Sequence, residues 1–190
     1  MPDANPNEVT GLLKSARTGD QSAKEQLFNQ VYDELRNLAA RQLRRTPQQM
    51  SWQPTMLVNE AYIRLLDPGN LDVEDRSHFF GIAVTVMRRV LVDHYRRQTA
   101  EKRGGGRVPV PLQDDAVTPE QDLDVMSLDE ALDRLSQMDE RRSRVVELRF
   151  FGGLNMDEVA DVLGVSKRTV ESDWYFARAW LKAELEKGDD

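Results

Sequence analysis

Apolar residues recur along this chain at intervals of three and four, the spacing that stacks side chains on one face of a helix. Val9 and Leu12 open the pattern. Leu27, Val31, Leu35 and Leu38 continue it along a long helix that runs to about Arg45 and is stopped by Thr46-Pro47. After the loop TPQQMSWQP, Pro54 suits the first turn of a helix carrying Leu57, Val58, Ala61, Tyr62, Leu65 and Leu66. Asp67-Pro68-Gly69 is a turn signal. Phe79, Ala83, Val86, Met87, Val90 and His94 give residues 77–97 one apolar stripe, with the arginines mostly off it. Beyond a break, Ser127 is placed to cap a helix with Leu128, Ala131, Leu132 and Leu135 on one face. Arg141 to Phe151 form another, with Val145, Leu148 and Phe151 on one side and Gly152-Gly153 at its end. No stretch alternates with period two, so the expected fold is all-α.

Residues 155–181, NMDEVADVLGVSKRTVESDWYFARAWL, read as a helix, a tight turn and a second helix. Met156, Val159, Ala160 and Leu163 line the first helix, Gly164 ends it, and Ser166 caps the next. Val170, Trp174, Ala177 and Leu181 share the inner face of the second helix, and Val165 tucks under the turn. This is the pattern of a helix-turn-helix, whose second helix enters the DNA major groove. The residues it would present are Lys167, Arg168, Thr169, Ser172, Asp173 and Phe176. A helical hairpin with no DNA role has the same apolar spacing.

Charge sharpens the division into segments. The net charge is −7, whereas an isolated DNA-binding domain is usually basic, so binding would need a local basic patch or a partner. Residues 86–107 hold seven basic residues against two acidic ones; residues 108–125 hold five acids and no base. With Gly104-Gly105-Gly106 and three prolines, residues 104–125 are expected to be a flexible acidic linker. The glycine triplet lacks the Lys-Ser/Thr of a phosphate-binding loop. The expected organisation is a disordered N-terminus (1–7), a helical domain (8–103), the linker (104–125) and a helix-turn-helix domain (126–187).

The chain has no cysteine, which excludes disulfides and thiolate metal sites and suits a reducing cytoplasm. No apolar run is long enough to span a membrane, and the polar N-terminus does not read as a signal peptide. His78 and His94 are sixteen residues apart and no His/Asp/Glu cluster has metal-ligand spacing, so no metal or cofactor is expected. There is no glycine-framed serine, and acid pairs such as Asp157-Glu158 sit in first turns of helices, where the helix dipole favours them. No enzyme activity is expected.

Three stretches in order resemble the extracytoplasmic-function (ECF) sigma factors of bacterial RNA polymerase. LVNEAYIRLL (57–66) resembles the core-binding helix, FFGIAVTVMRRVLVDHYRR (79–97) the helix that melts and reads the minus-ten element, and SLDEALDRL through the helix-turn-helix the domain for the minus-thirty-five element. The resemblance implies that Leu57, Val58, Asn59, Glu60, Tyr62 and Arg64 bind core RNA polymerase. It implies that Phe79, Arg88 and Arg89 act on the melted non-template strand, and that Arg96, Arg97, Lys102 and Arg103 meet duplex phosphates. It also admits an anti-sigma partner. A stand-alone helix-turn-helix regulator would explain residues 127–187 but not 57–97; a non-DNA helical adaptor is the other alternative.

Three positions depart from the family pattern. Ile82 stands where a tryptophan is usual, and Glu171 and Asp173 where bases are usual, although Asp173 could accept from a cytosine amine. Gln53, Pro54, Thr55 and Met56 stand where acids usually precede the core-binding helix. A phosphate on Thr55 would restore about two negative charges at a helix N-terminus. A Ser/Thr kinase acting on Thr55, with Ser51 as second candidate, is therefore an expectation; the alternative is that Thr55 only starts the helix.

Overall fold

The computed structural model describes residues 6–44, 52–67, 73, 75–101, 109–111 and 122–187. Four helices make the N-terminal unit: α1 (Pro6–Arg17), α2 (Gln21–Arg44), α3 (Pro54–Leu65) and α4 (Arg76–Glu101). Each buries the stripe its spacing implies. Leu27, Val31, Leu35 and Leu38 of α2 meet Leu57, Val58, Ala61 and Leu65 of α3, and Phe79, Ala83, Met87 and Val90 of α4. Pro54 occupies the first turn of α3, where a missing N–H costs no hydrogen bond. His94, expected on the α4 stripe, is half-buried and packs its ring on Trp52 at 4.5 Å between centroids.

The C-terminal unit consists of α5 (Val125–Met138), α6 (Glu140–Val146), a π-helical turn (Glu147–Phe151), α7 (Met156–Leu163) and α8 (Lys167–Glu186). The single helix expected over Arg141–Phe151 is thus divided. Asp139 caps α6, accepting from the Arg142 amide at 3.1 Å, and the chain then widens into the π turn, closed by the Gly152 amide on the Glu147 carbonyl at 3.1 Å. The wider turn lets Glu147, Leu148, Phe150 and Phe151 all be buried.

Several boundaries differ from the sequence reading: α1 begins at Pro6, inside the stretch expected to be disordered, and α4 runs to Glu101 rather than to 97. The helix expected to begin at Ser127 begins at Val125, so Ser127 lies inside its first turn and is not its cap. Within the expected linker, β1 (Pro109–Pro111) and β2 (Asp122–Asp124) pair antiparallel, Val110 opposite Leu123. Three-residue strands are too short to show a period-two pattern in sequence. The rest of the linker, residues 1–5, the loop at 45–51 and Pro68-Gly69 lie outside the described residues.

The two units are not separate. Their buried side chains form one cluster, and α4 packs against the π turn, α7 and α5. The approach is close because Gly81 on α4 has no side chain: a Cβ there would lie 2.8 Å from Val162 Cγ1 of α7.

Candidate nucleic-acid and polymerase interfaces

The helix-turn-helix is fixed by local chemistry. Asn155 caps α7, accepting from the Asp157 and Glu158 amides at 2.9 and 3.0 Å, while Glu158 accepts from the Asn155 amide at 2.7 Å. This reciprocal box satisfies amides that have no partner inside the helix. Gly164 ends α7 at φ 64°, a conformation that costs other residues about 1–2 kcal/mol. Ser166 caps α8, its hydroxyl accepting from the Thr169 amide at 3.1 Å.

Val170, Trp174, Ala177 and Leu181 turn α8 inward, as their spacing implies. The opposite face carries Arg168, Ser172 and Tyr175, four and three residues apart and all exposed. Tyr175, 80% exposed on that face, was missed in the sequence; its place off the buried stripe was the available signal. Lys167 is exposed and bonded to Asp157 at 2.9 Å, a hydrogen bond that, with the carboxylate's charge, raises its pKa. Thr169 is half-buried beside the Ser166 cap. Phe176 lies at the edge of the face beneath the Arg142 guanidinium, 3.7 Å from the ring centre.

Asp173 corrects the sequence reading. It is 4% exposed, and its carboxylate accepts from Arg141 at 2.6 Å and 3.3 Å and from Arg142 at 3.4 Å. Burial alone would raise its pKa, but the hydrogen bonds and charges of Arg141 and Arg142 outweigh it and hold the group below the usual carboxylate range. Three residues beyond Val170 on the helix, Asp173 falls on the inner side of α8, so it ties α8 to α6 rather than reaching a cytosine.

On α4 two expected DNA residues are also enclosed. Phe79 is completely buried; it is Phe80 beside it that is half-buried, with Arg76 4.9 Å above its ring. Arg88 is 3% exposed and faces carboxylates of the C-terminal unit: Asp129 in direct hydrogen-bond contact and Glu147 at 2.9 Å. Burial raises the pKa of Asp129, Arg88 and Arg96 pull it down, and the net shift is upward. Arg89, Arg96 and Arg97 are exposed; Arg96 reaches Asp129 at 3.2 Å and Arg97 donates to the Asp93 carbonyl at 3.2 Å. Lys102 and Arg103 lie outside the described residues.

The expected polymerase-binding set divides by helix face. Leu57 and Val58 are fully buried and belong to the core, because the apolar stripe of α3 that packs on α2 and α4 runs through them. Tyr62 is half-buried: its hydroxyl donates to the Lys24 carbonyl at 2.7 Å, and burial pushes its pKa up to about 12. Arg64 bonds Asp93 at 2.9 Å and Glu60 at 3.6 Å. Asn59 and Glu60 are exposed, between Met56 at 48% and Ile63 at 69% exposure. Gln53 at the N-cap makes no side-chain capping bond, no acid stands in the first turn of α3, and Thr55 is half-buried there. Ser51 lies outside the described residues. Among the described residues no group of three His, Asp or Glu could hold a metal ion, and no helix is long and apolar enough to cross a membrane.

An all-α chain with a helix-turn-helix behind a basic helix is the architecture of a DNA-reading protein. The chain belongs to the ECF sigma factors: the model of that family matches residues 6–187. It is a transcription initiation factor, of the class that acts with core RNA polymerase on promoter DNA. The solved structure of CnrH in complex with the cytosolic domain of CnrY is similar to it at 25% sequence identity, over 95% of this chain and 98% of that one, with a TM-score of 0.40. No curated protein matches the chain.

Proposed function

We propose that α3 is the polymerase contact, through Met56, Asn59, Glu60 and Ile63. The observation that carries this reading is that these residues, three, one and three apart, leave two large apolar side chains on one uncovered helical face. We propose further that Arg168, Ser172 and Tyr175 read the upstream duplex element. On α4, Arg89, Arg96 and Arg97 meet phosphates or the melted strand. Phosphate contacts position the protein and base contacts specify the sequence. The net charge of −7 fits a factor whose DNA affinity comes largely with its polymerase.

The same helix supports a phosphate switch. Thr55 stands in the first turn of α3, within one turn of Met56 and Asn59, at an end with no acid and no side-chain cap. A phosphate there would supply charge to the contact face and meet the positive end of the helix dipole. A Ser/Thr kinase is therefore the proposed activator, and an anti-sigma protein the second proposed partner.

The test measures affinity for core RNA polymerase with the parent, Thr55→Ala and Thr55→Glu, each with and without kinase treatment. The expected result is weak binding that tightens on phosphorylation of the parent and not of Thr55→Ala. Tight binding by the untreated parent, unchanged in Thr55→Ala, would remove the switch and leave the polymerase contact standing.

A further inference from the structure

A helix that reads duplex DNA needs cations for the phosphates beside the groove, because those contacts supply a large share of the affinity. α8 carries few. Over residues 167–177 Lys167 and Arg168 are balanced by Glu171 and Asp173, and Lys167 is already bonded to Asp157 at 2.9 Å. Arg168 is the basic residue of the exposed face it shares with Ser172 and Tyr175. Phe176, one turn beyond Ser172, borders that face with an apolar ring that is 42% exposed.

A cation from another helix stands over that ring. Arg142 of α6 lays its guanidinium 3.7 Å from the Phe176 ring centre, within the range of cation–π attraction. Its Nε lies 3.2 Å from Asp139 and 3.4 Å from Asp173. The buried Asp173 does not depend on it. Arg141 satisfies that carboxylate with two bonds, at 2.6 and 3.3 Å, and Arg142 adds only the long third. These contacts engage Nε of Arg142, so its two terminal nitrogens keep N–H donors for the oxygens of a phosphate. The side chain is 30% exposed yet held from three sides, by Asp139, Asp173 and the ring. An arginine ordered in advance loses less freedom on binding than a free surface side chain does.

We propose that Arg142, seated on Phe176, supplies from α6 the phosphate contact that α8 lacks, and so fixes the position of the recognition helix on the upstream duplex. Arg142 is the contact and Phe176 the positioning residue. The inference rests on the reading of α8 as the helix that enters that duplex. Because Arg142 comes from outside the helix pair that enters the groove, it meets the groove wall and serves all base sequences alike. Shielding the ring from water is the alternative role, and it would leave DNA binding unchanged when the arginine is removed.

The experiment measures promoter binding by the full chain assembled with core RNA polymerase, across a salt series and on promoters altered in the upstream element. Each variant is made in the parent and in Thr55→Glu, so that assembly with polymerase does not hinge on the switch. Arg142→Gln should melt like the parent and lower the steepness of log K against log salt by about 0.9, the share of one phosphate contact. Its loss of affinity should be the same factor on every upstream sequence. Arg142→Lys, which keeps the charge, should restore the steepness. Phe176→Leu should keep the steepness and weaken binding about two- to fivefold, since the charge remains but is no longer held. A folded Arg142→Gln with parental steepness and affinity would overturn the contact. So would a changed preference at particular bases with the steepness unchanged, which would make Arg142 a base reader. A lowered steepness in Arg142→Gln, with Arg168→Ala leaving base preference as in the parent, supports the contact and instead sinks the base readout assigned to α8.

Discussion

Removing the Asp173 carboxylate separates a structural role from base readout, because the two assign opposite losses to the same substitution. Asp173→Asn keeps the size and one acceptor oxygen but removes the charge that holds Arg141 at 2.6 Å and Arg142 at 3.4 Å. Losing one partner of a fully buried pair costs about 3–5 kcal/mol. Here the side chains of Arg141 and Arg142 are 49% and 30% exposed and can turn to water, so solvent screens much of the loss. About 2 kcal/mol is the expected cost, close to that of one charge-assisted hydrogen bond. For a chain of this size that lowers Tm by about 4–8 °C. The sign with pH follows from the depressed folded pKa. The ion pair stabilises above the unfolded value of about 3.9, and that contribution is lost as pH falls through the folded value. Asp173→Asn should therefore flatten the acid side of the stability curve. Circular-dichroism melts from pH 3 to 7 measure this, with run-off transcription on promoters altered one base at a time as the companion assay. A variant that melts like the parent but changes its base preference would show that Asp173 reads DNA, refuting its assignment to the fold.

Three further outcomes follow from the same geometry. Trp174→Ala should destabilise by about 3–5 kcal/mol in thermal melts, since the ring is buried and flanked by Arg149 and Arg178; parental melting with lost DNA binding would make it a contact residue. Ile63→Ala should melt within about 0.5 kcal/mol of the parent yet lose about 1–2 kcal/mol of affinity for core polymerase in a pull-down titration, whereas Leu57→Ala should do the reverse, with a folding loss of about 2–5 kcal/mol. Arg168→Ala should cost about 1–3 kcal/mol at particular upstream bases, while Arg97→Ala lowers transcription evenly across promoter variants.

Helical periodicity made the stripes of α2, α3, α4 and α8 legible, because a buried face leaves a mark at every third or fourth residue. Cap chemistry did the same for the turn at Gly164 and Ser166. Arg88 and Asp173 were not legible in that way. Both are charged residues on inward-facing positions, and each is stabilised there by partners distant in sequence: Asp129 for Arg88, and Arg141 for Asp173. Pattern alone assigns a charge to the solvent side, and so put Asp173 on the DNA-facing side of α8, while the family resemblance put Arg88 on the melted strand. Phe79, Leu57 and Val58 show the converse. Their family positions suggested contact with a partner, but their apolar side chains lie on the core stripe. Tyr175 was legible from the same register, since it falls off the stripe that Val170, Trp174, Ala177 and Leu181 define, and the structure shows it exposed.

The most direct measurement is promoter run-off transcription by core RNA polymerase, with the parent and Thr55→Glu chains, alongside duplex binding by each chain alone. The expected result is a promoter-specific transcript that needs both polymerase and chain, strongest with Thr55→Glu, while either chain alone binds the duplex weakly. No transcript from either chain, together with tight and specific duplex binding that polymerase does not improve, would contradict the assignment of α3 to the polymerase and favour a helix-turn-helix regulator that acts alone.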